Sequence, residues 1–116
     1  MRGIFKTEKK RQLDFSPRLY LGNGIDREHL DKLKSRLRRK PMLTSVCLLI
    51  LSDNESDQLD IVYSKQLAQP VYGEYPLKIA GMARTKEEAY ELVSQIVEDC
   101  LSARKDCAIK EFLAWQ

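Results

Sequence analysis

Residues 42–51 read MLTSVCLLIL, a run that is apolar on both sides of an extended chain. In a strand successive side chains point to opposite faces. Met42, Thr44, Val46, Leu48 and Ile50 therefore share one side, and Leu43, Ser45, Cys47, Leu49 and Leu51 the other. Such a strand belongs in the middle of a sheet whose two faces are both at least partly covered. A chain of 116 residues makes one ordinary domain, read as 1–116. The cover must therefore come from few elements. With 43% hydrophobic and 32% charged residues, the chain has enough apolar content to fold. Its longest apolar run, Val46 to Leu51, falls far short of the roughly 20 residues of a membrane span.

The flanking elements follow from local chemistry. Residues 1–16 form a basic N-terminal arm with Lys6, Lys9, Lys10 and Arg11, lacking the apolar segment of a secretory signal. Arg18–Leu21 is a short strand, turned by Gly22-Asn23-Gly24. A helix then opens with Asp26 as its N-cap and Ile25 stapled onto Leu30. Leu30, Leu33 and Leu37 form its apolar stripe and Pro41 stops it. The acidic stretch 52–57 is a hairpin loop leading to a half-buried strand over 59–67. Residues 68–76 are irregular, and Leu77–Ala83 is another strand. Thr85 and Glu88 make a capping box for a second helix, with Ala89, Tyr90, Leu92, Val93, Ile96, Val97, Cys100 and Leu101 on its buried side. Asp106 caps a last short helix carrying Ile109, Phe112, Leu113 and Trp115.

This order predicts an α+β fold: an antiparallel sheet of about four strands, with two long helices and one short C-terminal helix packed mainly on one face. The second apolar face of residues 42–51 then needs other cover. The N-terminal arm, the C-terminal helix or a second copy of the chain can supply it, and the expectation is a second copy, giving a homodimer.

Several kinds of chemistry are disfavoured. Cys47, Cys100 and Cys107 are odd in number and unlike zinc-ligand spacing, so a reduced, cytoplasmic protein without metal or cofactor is expected. Phosphate-binding glycine loops are absent. Asp53-x-Glu55-x-Asp57 resembles the opening of a calcium loop but has Gln58 where the glycine belongs. His29, the single histidine, has no accompanying partner signature.

Two features stand out. Residues 1–40 hold 13 Lys/Arg against five Asp/Glu, whereas residues 41–116 hold seven against 12. A basic half of this kind suggests nucleic-acid contacts through Lys9, Lys10, Arg11, Arg36, Arg38, Arg39 and Lys40. The helix dipole explains the same crowding without a ligand. The loop Gln69–Pro76 places Tyr72 and Tyr75 on a stiffened segment, which suits contact with a protein partner or a small ligand. The expected function is that of a non-enzymatic binding module that self-associates. The alternatives are a nucleic-acid accessory protein, and a small-molecule-binding domain or enzyme with a pocket beside residues 69–76.

Overall fold

The computed structural model describes residues 12–51, 58–69 and 76–113. They form β1 (Leu13–Leu21), α1 (Leu30–Arg39), β2 (Cys47–Leu51), β3 (Leu59–Tyr63), β4 (Leu77–Ala83), α2 (Lys86–Arg104) and α3 (Ile109–Phe112). The four strands lie in the order β1-β4-β2-β3. β2 is antiparallel to both β3 and β4, but β1 runs parallel to β4. The fold is α+β as expected, while the sheet is mixed rather than antiparallel. The reason lies in the connection: a parallel pair needs a long crossover, and α1, β2 and β3 all lie between β1 and β4.

β1 also reaches further back than the sequence indicated. Leu13, Asp14 and Phe15 pair with Leu77, Lys78 and Ile79, so the N-terminal arm ends before residue 13 rather than at 16. Pro17 had marked a break. It is tolerated because β1 is an edge strand and bulges there: Phe15 pairs with Ile79 and the next pair is Tyr20 with Gly81. The Ser16 hydroxyl accepts from the Arg18 amide at 3.1 Å inside the bulge. Opposite, a Cβ on Gly81 would stand 3.0 Å from both the Tyr20 carbonyl oxygen and Leu49 Cδ1, so a side chain there would crowd both neighbours.

The apolar run 42–51 is strand only from Cys47 onward. Pro41–Leu43 is a 3-10 turn, with the Thr44 hydroxyl donating to the Pro41 carbonyl at 2.8 Å. The next backbone groups are held by a buried serine. Ser64 Oγ donates to Thr44 O at 2.9 Å and accepts from Val46 N at 3.1 Å. Met42 and Leu43 consequently stand 57% and 66% exposed.

The alternation itself holds, and it divides the core. Val46, Leu48 and Ile50 join Leu13, Val62, Leu77, Ile79 and Met82 in one cluster, which Ile25 and the α1 leucines 30, 33 and 37 cover. Cys47 and Leu49 join Ala80 and Ala83 in a second, covered by Ala89, Leu92, Ile96 and Cys100 of α2 and by Ile109 and Leu113 at α3. α1 therefore lies on one face and α2 with α3 on the other, so the helices are not gathered mainly on one face. The strand did require two covers, and one chain supplies both. The sheet no longer asks for a second subunit. Leu37, Leu48, Leu49, Ile79, Met82 and Ile96 are all fully enclosed, each contributing about 1.5–3 kcal/mol of transfer free energy.

Candidate functional site

The α1 cations fall into two groups with different duties. Lys34 Nζ and the Arg38 guanidinium lie 5.1 and 5.0 Å from the centre of the Phe15 ring. Arg38 also donates to the Leu13 carbonyl at 3.1 Å. These two side chains fasten α1 to β1 through their stems and charges. On another side of the helix His29, Lys32 and Arg36 recur at spacings of three and four, so they share one face. They line a cleft of about 300 Å³ together with Ile25, Asp26, Leu33, Val46 and Arg84.

Ile25 and Val46 are buried, Leu33 is half-buried and the charged residues are exposed, giving an apolar base below a polar rim. Asp26, which also accepts from Glu28 N at 3.0 Å, meets His29 Nδ1 through its other oxygen at 2.6 Å. The His29 contact first, and then the backbone amides, hold the Asp26 carboxyl below its usual range. Each of its oxygens thereby has one partner within its own turn. Among the described residues no ion pair joins Lys32, Arg36 or Arg84 to a carboxylate.

Arg84 reaches the cleft from the corner between β4 and α2. A single carboxylate sets the position of that corner. Glu88 Oε1 accepts from Arg84 N at 3.1 Å and from Gly24 N at 3.2 Å, bridging to the turn that leads into α1. The Thr85 hydroxyl in turn accepts from Glu88 N at 3.1 Å, as the capping pattern predicted. The Glu88 side chain, however, reaches past its own helix start to a second turn. A Cβ on Gly24 would stand 2.6 Å from Arg84 Cγ and 2.8 Å from Glu88 Oε2, so the two walls meet closely there. Behind this junction a smaller polar hollow of about 160 Å³ is lined by Gly22, Asn23, Glu88, Glu91 and Gln95.

The sequence-derived candidates are distributed unevenly. Lys9, Lys10, Arg11, Tyr72, Tyr75 and the acidic stretch 53–57 lie outside the described residues. Of the α1 cations, Arg36 enters the cleft and Arg38 is engaged with Phe15 and Leu13. Arg39 and Lys40 are exposed at the helix end and do not line the cleft. His29 gains in Asp26 the partner that the sequence had not marked. Lys32, Arg84 and the apolar base were missed. The spacing of Lys32 and Arg36 was visible, whereas Arg84 arrives only through the sheet.

The thiols look unreactive where they are buried. Burial pushes Cys47 and Cys100 up, and Cys100 Sγ donates to the Asp106 carbonyl at 3.3 Å. Among the described residues no helix is long and apolar enough to cross a membrane. Compared with protein-family models, with curated protein sequences and with solved structures, the chain matches none.

Proposed function

We propose that this protein is a non-enzymatic binding module that takes a small anionic ligand, with an apolar portion, in the cleft between α1 and the β4–α2 corner. The observation carrying this is that Lys32, Arg36 and Arg84 line one cleft with Ile25, Leu33 and Val46, while the nearby carboxylate of Asp26 is engaged by His29 and Glu28 N. Cations gathered without carboxylate partners over apolar surface suit an anion with an apolar body. The volume stands at the small end of the range for ligand sites. The buried thiols are poor nucleophiles, which favours binding over covalent catalysis.

The nucleic-acid alternative has less support, because Lys34 and Arg38 are held against Phe15. Of the other cations along α1, Lys32 and Arg36 line the cleft while Arg39 and Lys40 stand apart at the helix end. Self-association had rested on an uncovered sheet face, and both faces are covered from within.

Amide chemical shifts separate these readings. Titrating labelled protein with benzoate and phenyl phosphate should shift Ile25–Leu33, Val46 and Arg84, and Arg36→Gln with Arg84→Gln should abolish the response. Shifts confined to other surfaces would sink the proposal. Binding of random DNA that collapses steeply between about 50 and 200 mM salt would favour the alternative.

A further inference from the structure

The geometry points to a phosphate monoester, carried on a small molecule with an apolar or aromatic body, as the ligand class of this cleft. The inference rests on the cleft being the binding site. Three formal positive charges line it, Lys32, Arg36 and Arg84, against one negative charge, Asp26. Even with His29 left neutral, two positive charges remain in excess. A carboxylate ligand would neutralise one of them. A phosphate monoester, carrying about −1.5 to −2 near neutral pH, neutralises nearly both.

The donors agree with the charge. Two guanidinium groups and an ammonium supply far more N–H groups than the two oxygens of a carboxylate can accept, whereas a phosphate monoester presents three strongly accepting terminal oxygens. Their places in the fold agree as well. Lys32 and Arg36 sit one turn apart on α1, and Arg84 comes from the corner on the opposite wall, which the Glu88 bridge through Gly24 N and Arg84 N holds in place. A planar carboxylate is best met along one edge by a single Arg fork. A tetrahedral head can be met from both walls at once.

The apolar base decides between inorganic and organic phosphate. Half-buried Leu33, with Ile25 and Val46 buried beside it, lines the same cleft as the cations, and this apolar wall offers an inorganic ion nothing. A ring or short alkyl group on the ester oxygen would be removed from water there, at about 25 cal/mol per Å². A volume of about 300 Å³ leaves space for the head and little more than one ring.

Calorimetric or shift titrations at low salt, with phenyl phosphate, inorganic phosphate, benzoate and a phosphotyrosine peptide, test the assignment. Phenyl phosphate should bind about tenfold more tightly than benzoate, the scale of one charge-assisted hydrogen bond, and several-fold more tightly than inorganic phosphate. Arg84→Gln, an exposed substitution whose folding circular dichroism would confirm, should bring phenyl phosphate and benzoate to similar affinities. Benzoate binding the cleft as well as phenyl phosphate overturns the phosphate assignment and leaves the cleft reading intact. Inorganic phosphate binding equally well removes the organic body from the proposal. A phosphotyrosine peptide binding more tightly than phenyl phosphate replaces the small molecule with a modified protein. If no probe shifts the cleft amides, the cleft reading itself fails.

Discussion

The Tyr20 hydroxyl donates to Asp99 Oδ2 at 2.6 Å, joining the end of β1 to α2. Burial first, and then the neighbouring Asp99 carboxylate, push this phenol up to about 12 from its ordinary 10.0. A group that holds its proton more tightly in the folded chain contributes stability that is full below the unfolded value and is lost as pH rises through the folded one. Stability should therefore decline between about pH 10 and 12, and Tyr20→Phe should flatten that part of the decline. Denaturant midpoints measured across the alkaline range would show it, and an unchanged slope in the variant would count against the assignment. At neutral pH the substitution should cost less than about 1 kcal/mol, because the bond lies near solvent. At this same scale the candidate site was half legible. The periodicity of His29, Lys32, Leu33 and Arg36 sets out one face of a helix, yet Arg36 and Arg38 look alike in a sequence. They differ only because Phe15 of β1 lies beneath one of them.

Among the elements, α2 ends in an unusual way. Lys105 adopts φ 67°, a left-handed conformation, while its amide donates to the Leu101 carbonyl at 2.9 Å. Glycine is the residue that enters this conformation without steric cost. Lys105→Gly should thus stabilise the fold by roughly 0.5–1 kcal/mol, read as a higher urea midpoint with an unchanged slope. A lower midpoint would mean that the lysine side chain contributes more than its backbone costs. Beyond that cap, the amide of Gln58 donates to Cys107 O at 2.8 Å and accepts from Ile109 N at 2.5 Å, tying the entry of α3 to the start of β3. The elements themselves were largely legible: both long helices, the cap at Thr85, and strands over 42–51, 59–67 and 77–83 follow from periodicity and punctuation. Turns of 3-10 helix at Pro41–Leu43 and Ser64–Ala68, however, shorten the first two strands to Cys47–Leu51 and Leu59–Tyr63, and Asp26 caps a 3-10 turn, Arg27–His29, that leads into α1. Their arrangement was not. Pro17 reads as a break unless the strand is known to be an edge, and nothing local distinguishes a β1 that joins β4 in parallel from one that pairs antiparallel. Met42–Val46 has the composition of strand, but Pro41 and the Ser64 hydroxyl direct its backbone elsewhere.

For the whole molecule, the division of charge along the chain becomes a division across the sheet. Residues 27–40, which include α1, carry seven Lys/Arg and two Asp/Glu, whereas α2 carries two and five. These helices cover opposite faces, so a basic side and an acidic side look away from each other. An anion approaching the cleft is drawn to one side and repelled from the other. Glu91→Gln with Glu98→Gln on α2 should therefore raise anion affinity slightly, by less than about twofold, and only at low salt, since the Debye length is about 10 Å at 0.1 M. Titrations at two ionic strengths would check this, and an equal gain at high salt would indicate direct contact instead. The parallel seam between β1 and β4 also bears on how the chain is made. During synthesis β1 leaves the ribosome well before the strand it must pair with, Leu77–Ala83, which comes after α1, β2 and β3. β2 and β3 can close on each other as soon as they emerge, but Leu13 and Phe15 have no seat until β4 exists. β1 is thus placed late although it is made early, and a nascent chain stalled before residue 77 carries an open apolar edge for other chains to find.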